Sequence, residues 1–212
     1  MKIPTITSFE NALQVDLSWR RKELSSLYLA AIGATPNSDS QSRAARSGIV
    51  LSYAHLEGFS RESIRCYLAY VKGRLLKWSE LSPNFAALKL SRMVSQGTHK
   101  ASYYGDAAVY WTSKLEEIAD LPDPVVISAK SNLTFSQFCE MLYSINIDPK
   151  PFETKKNFFD VVLLERRNAI AHGEEKKTSL EDYLEVHTEV VEILDVLSET
   201  LVSSALAKAF RR

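Results

Sequence analysis

The chain has 212 residues, 45% of them hydrophobic, enough to bury a substantial core, and its 26 basic residues balance 26 acidic ones. That balance excludes a global positive field for drawing in nucleic acid, so any RNA binding has to rest on local patches. Two cysteines do not make a disulfide framework, and with no run of about 18 apolar residues and no signal-peptide core at the N-terminus the expectation is a soluble cytoplasmic protein with no membrane association.

Only 7 Gly and 7 Pro favour long regular elements over a loop-rich architecture. Residues 8 to 33 read as a first helix, with Leu13, Leu17, Leu24, Leu27 and Ala31 at three- and four-residue spacing and Gly33 with Thr35-Pro36-Asn37-Ser38 ending it. Residues 39 to 78 form a longer one with an apolar stripe of Ile49, Tyr53, Leu56, Tyr67, Val71 and Leu75 and a kink expected near Gly58. From Leu81 to Ile127 the pattern degrades. A short helix around Phe85 to Met93, an irregular stretch from Ser95 to Asp106 that holds His99, a helix from about Ala107 to Ala119 and an extended Val125-Val126-Ile127 after Pro122 and Pro124 are expected.

Thr134-Phe135-Ser136-Gln137 has capping-box spacing and opens a helix that Asn146 to Pro151 closes. A further helix follows from about Glu153 to His172. Thr178-Ser179-Leu180-Glu181 repeats the capping spacing before a final helix to about Ala207, whose seam is Tyr183, His187, Val190, Leu194, Leu197 and Leu201. The expected fold is therefore all-α, a bundle of about four main helices in one domain over residues 1–212, with residues 81–131 as an irregular, partly helical insertion.

The chemistry concentrates in Arg167-Asn168-Ala169-Ile170-Ala171-His172-Gly173-Glu174. Gly173 stands where a helix C-terminus needs positive φ, so His172 falls in the last turn, where the carbonyl end of the helix favours an imidazolium suited to proton transfer. Asn168 and His172 are four apart and share a face, whereas Arg167 has to converge with them through its long side chain.

Glu165 to Glu174 resembles the signature of the HEPN superfamily, an arginine, a polar residue, three further residues and a histidine. Tyr53-Ala54-His55-Leu56-Glu57-Gly58-Phe59 resembles the His-x-Glu-Gly-Phe element of a prokaryotic HEPN branch linked to toxin and phage-defence systems, and Asn132-Leu133 ahead of the motif helix keeps the same order. The resemblance covers residues 8 to 206. It implies an all-α fold, a homodimer whose two motifs face each other, and cleavage of RNA without a metal or other cofactor. Arg167 and His172 match the catalytic pair and Asn168 the polar position. Some HEPN toxins carry a tyrosine two residues after the histidine, where a partner nucleotidyltransferase modifies them; Glu174 stands there, which speaks against silencing by that route.

These residues lead to an expected metal-independent endoribonuclease that cleaves single-stranded RNA to a 2′,3′-cyclic phosphate, in a toxin–antitoxin or phage-defence setting with an antitoxin or defence partner protein. The alternative is a non-catalytic HEPN module that binds nucleotides or a protein. His55 and Glu57 are candidates for orienting Arg167 or His172, weighed against a buried polar pair that fixes helix packing. Lys155, Lys156, Arg166, Lys176 and Lys177 bracket the motif helix as candidate RNA-phosphate contacts. His187 falls on an apolar seam and reads as a core residue. No zinc-ligand spacing, aspartate cluster or glycine-rich phosphate loop is present.

Overall fold

A computed structural model describes residues 3–96, 101–121, 132–174 and 178–212. Among these the architecture is helical, with two isolated β-bridges, Lys77 with Ile118 and Leu81 with Arg211, as the extended pairing. Three long helices pack on one another: α1 (Ile6–Ile32), α2 (Asp39–Lys72) and α7 (Leu180–Leu206). Their inner stripes are the residues that the periodicity marks, Leu13, Leu17 and Leu24 from α1, Ile49, Tyr53, Leu56, Tyr67 and Val71 from α2, and Val190, Leu194, Leu197 and Leu201 from α7, all buried. Among the described residues no helix is long and apolar enough to cross a membrane.

Side-chain caps fix where these helices begin. Thr5 and Ser8 cap α1 reciprocally, and Ser38 accepts from the Gln41 N–H at the start of α2. On α7 the capping box is made by Ser179 and Asp182, one residue later than the Thr178–Glu181 spacing proposed. Where α2 meets α7, a Cβ on Gly48 would lie 2.3 Å from the Tyr183 ring, so the glycine permits the close approach. Gly58 does the same for the α1 contact. The helix runs unbroken through it, and a Cβ there would meet the Arg20 guanidinium at 2.7 Å, so the glycine makes room for that side chain. α2 stops at Lys72, and Leu75, expected in its stripe, is exposed with φ 51° in the turn beyond.

The middle of the chain is more regular than its weak periodicity implies. α3 (Pro83–Gln96) runs three residues past Met93, and α4 spans Ala101–Ser113, starting and ending six residues before the expected 107 to 119. His99 and Val125-Val126-Ile127 lie outside the described residues. Trp78 and Trp111 pack edge to face at 4.9 Å, and backbone bonds from Trp78 to Glu117 and from Ala119 to Leu76 tie the end of this stretch to the turn after α2. Phe210 is buried, and its carbonyl accepts from the Ser82 N–H at 2.9 Å, which fastens the C-terminus beneath α3.

Thr134 and Gln137 form the expected capping box of α5 (Phe135–Ser144). The segment expected as one helix from 153 to 172 is instead three helical geometries in succession: a 3-10 turn (Lys150–Lys155), a π segment (Phe158–Leu163) and α6 (Leu164–Ala171). An aromatic cluster accounts for the change. Phe159 lies 5.0 Å from Phe138 and 5.7 Å from Phe135, and Phe138 packs edge to face on Phe152 at 4.9 Å, so Phe152, Phe158 and Phe159 all turn inward. The wider π turn accommodates this, and α6 then emerges with no fully buried residue.

Candidate functional site

α6 ends as its sequence prescribes. Gly173 has φ +75°, its N–H donates to Ile170 O at 3.1 Å, and the Glu174 N–H donates to Ala169 O at 3.0 Å, the pair of bonds of a Schellman motif. His172 is the C-cap, exposed, with its N–H on Asn168 O at 2.9 Å. The Glu174 carbonyl accepts from Arg46 Nη1 at 3.1 Å, which ties the end of α6 to α2.

Successive residues on a helix point about 100° apart, and the two motif arginines go separate ways. Arg166 turns to α7, where it meets Asp182 Oδ1 at 2.9 Å and Glu185 Oε2 at 3.3 Å. Arg167 turns to α2 and lies over the Tyr53 ring with Cζ 4.9 Å from the centroid. Its Nη1 donates to Asn168 Oδ1 at 2.9 Å and to Asn132 Oδ1 at 3.2 Å, and Asn132 Nδ2 reaches Asn168 Oδ1 at 3.4 Å. Among the described residues Nε and Nη2 of Arg167 carry no hydrogen bond. A guanidinium held by one nitrogen and a ring face therefore keeps its other edge open, and that edge matches two oxygens of a phosphate.

The buried Tyr53 hydroxyl accepts from the Leu133 N–H at 2.6 Å. Burial raises its pKa; the Leu133 bond and the Arg167 charge oppose this, while the Glu57 charge adds to it. The phenol stays protonated. Beside α6, a shallow groove of about 440 Å³ is lined by Arg43, Arg46, Ser47, Val50 and Leu51 of α2 and by Ile170.

His55 separates from this cluster, whereas Glu57 stays on the Tyr53 face of α2. His55 is buried and faces α1, because two residues along a helix place it about 200° from Tyr53. Its ring packs on Trp19 at 5.4 Å, Arg20 Nη1 donates to its carbonyl at 3.3 Å, and Nε2 lies 3.2 Å from Glu23 Oε2, an ion-pair distance without hydrogen-bond direction. Burial lowers its pKa against the pull of Glu23, so it packs α1 on α2 as a neutral ring instead of orienting Arg167 or His172. Glu57, one turn after Tyr53, pairs with Arg61 at 2.7 Å.

The proposed basic patch also thins out. Lys155 is bound to Glu189 and Glu192 at 2.8 and 2.9 Å, so it and Arg166 fasten the motif segment to α7 rather than offering charge to a phosphate. Lys156 is exposed, and Lys176 and Lys177 lie outside the described residues. His187 is half-buried between Tyr28 at 5.0 Å and Tyr183 at 6.0 Å, a core histidine as expected. Cys66 and Cys139 are free thiols; burial pushes Cys66 up to about 12, far from reactive thiolate chemistry. Among the described residues no three His, Cys, Asp or Glu side chains cluster as a metal site requires.

Sequence reasoning did not single out Asn132 or Arg46 as site residues. Asn132 meets Arg167 across 35 positions and Arg46 meets Glu174 across 128, separations that no local spacing encodes. No curated protein and no solved structure matches the chain. A sequence profile of the RiboL-PSP-HEPN family matches residues 15–203, a span from α1 to α7 that contains both motif segments. An all-α bundle with this match over most of its length places the chain in the RiboL-PSP-HEPN family.

Proposed function

We propose that the protein is a metal-independent endoribonuclease acting on single-stranded RNA. The observation that supports this reading is the guanidinium of Arg167, pinned by Tyr53, Asn132 and Asn168 with its Nε and Nη2 edge open, on the short helix that the exposed His172 caps five residues later. Arg167 holds the scissile phosphate and stabilises the charge that develops on it. The substrate's 2′-hydroxyl attacks the adjacent phosphorus and loses its proton to a base; the P–O5′ bond breaks and the leaving 5′-oxygen takes a proton from an acid. A 2′,3′-cyclic phosphate and a 5′-hydroxyl result.

His172 moves these protons, but one motif supplies one imidazole. A homodimer that sets two motifs face to face provides the base and the acid together, and the toxin–antitoxin or phage-defence role, with a protein partner that restrains the enzyme, goes with this activity. The deciding assay incubates purified protein with labelled RNA and with the same sequence as all-deoxy strand, with and without EDTA. Cleavage of RNA alone, unchanged by EDTA and leaving cyclic phosphate ends, is the expected result. Comparable cleavage of the deoxy strand, or dependence on an added divalent ion, overturns the mechanism, and an active monomer in sedimentation removes the composite site.

A further inference from the structure

We infer that Asn132 and Tyr53 are positioning residues for Arg167, and that Tyr53 acts twice, through its ring on the guanidinium and through its hydroxyl on the backbone that carries Asn132. The catalytic consequence rests on the ribonuclease reading; the positioning does not. An arginine side chain loses much rotamer freedom when it is fixed, so an ordered guanidinium needs several anchors. Arg167 has three, on three different elements: the Tyr53 face on α2, Asn168 Oδ1 on its own helix and Asn132 Oδ1 from the segment before α5.

Only the third anchor depends on an irregular segment, and that segment is tied down on both sides. Leu133 is buried and its N–H donates to the Tyr53 hydroxyl at 2.6 Å, while the Phe135 N–H donates to Asp160 Oδ1 at 2.8 Å within the π segment of the motif helix. Without the tyrosine hydroxyl, the Leu133 N–H would be a buried donor with no partner, which is costly enough to move the segment. Asn132 would move with it. The Tyr53 hydroxyl and the Asn132 amide are thus two steps of one chain ending on Arg167 Nη1. Because both amide oxygens share that single nitrogen, the chain aims the guanidinium without occupying the edge that takes the phosphate.

The test uses the full chain with Asn132→Ala, Asn132→Asp, Tyr53→Phe and the double variant Asn132→Ala/Tyr53→Phe. The first readout is NMR of the Arg167 guanidinium, assigned by its loss in Arg167→Lys, and it requires no activity. Hindered rotation of Nη1 is expected in the parent protein and in Asn132→Asp, which keeps the acceptor. Faster rotation is expected in Asn132→Ala and in Tyr53→Phe, which keeps the ring, with no further increase in the double variant. The second readout is RNA cleavage, where Asn132→Ala and Tyr53→Phe should each lower kcat by about 10-fold with little change in KM, and the double variant should lose no more than either. Asn132→Asp should stay slow in cleavage despite its ordered guanidinium, since its carboxylate competes with the phosphate. Unchanged rotation in Asn132→Ala or in Tyr53→Phe, or additive losses in the double variant, overturns the inference. A parent protein that orders Arg167 in this way but leaves RNA intact refutes the ribonuclease reading and supports the positioning.

Discussion

Replacing Arg167 and His172 by alanine separates their chemistry from their contribution to the fold. Arg167→Ala deletes a nitrogen that donates to two amide oxygens at 2.9 and 3.2 Å and a guanidinium stacked 4.9 Å over Tyr53. Both amides have access to water that replaces part of the loss, so the cost is about 1–2 kcal/mol. At about 2–4 °C per kcal/mol for a chain of this size, Tm should drop by roughly 2–8 °C. His172 is exposed, and among the described residues its side chain has no partner, so His172→Ala should stay within about 0.5 kcal/mol and about 2 °C of the parent. In activity the two variants should instead coincide. Each removes a group that acts in the transition state, at about 100-fold in rate or about 2.7 kcal/mol of barrier. Single-turnover cleavage of labelled RNA and thermal melting on the same preparations provide both numbers. Parent-like cleavage by either variant refutes the site assignment, and a Tm loss in His172→Ala as large as that in Arg167→Ala refutes the account of which one is anchored.

His187→Ala removes a ring packed between Tyr28 and Tyr183 and should lower Tm by several degrees while sparing specific activity; an equal loss of activity would bring that residue into the mechanism. Burial lowers the pKa of both His55 and His187 below the ordinary 6.5, so the unfolded chain takes up their protons first, and stability should fall as the pH drops below about 6.5. Tm measured from pH 7.5 to 5.5 should show this fall, flattened in a His55→Gln/His187→Gln variant; the same slope in that variant would assign the acid sensitivity elsewhere. Gly48→Ala places a methyl 2.3 Å from the Tyr183 ring and should cost about 1–3 kcal/mol, seen as a lower denaturation midpoint, and a neutral result would mean that α2 and α7 can slide apart. Among the described residues the buried Tyr183 hydroxyl has no hydrogen-bond partner, so Tyr183→Phe should leave the midpoint unchanged or raise it.

Periodicity and caps are local signals, and what they mark survives in the structure: the inner stripes of α1, α2 and α7, the Thr134 capping box and the left-handed Gly173 that ends the motif helix. The motif itself is local as well, since the four-residue spacing from Asn168 to His172 is enough to put both on one helix end. Two features were legible by the same arithmetic and point against the first reading. His55 lies about 200° from Tyr53 around α2, and Arg166 lies about 100° from Arg167 around α6, so neither shares the face of the Tyr53–Arg167 contact.

What tertiary packing alone decided is the aim of the site. The π segment accompanies the packing of Phe152 and Phe159 on the aromatics of α5, with Phe158 buried against Phe159, a packing condition that no pattern within 158 to 163 states. Lys155 and Arg166 look like free charges in sequence, and carboxylates of α7, between 16 and 37 positions away, neutralise them. Asn132 and Tyr53 reach Arg167 from elements whose separation along the chain carries no information about their distance in space. The sequence by itself therefore determined the three long helices, the Thr134 cap, the Gly173 stop and the chemical groups on offer, because these follow from interactions within a few turns, whereas the bounds of α4 and the division of 153 to 172 did not follow from them. The direction in which Arg167 presents its open edge was decided by the tertiary structure, because that edge is defined by partners on three separate elements.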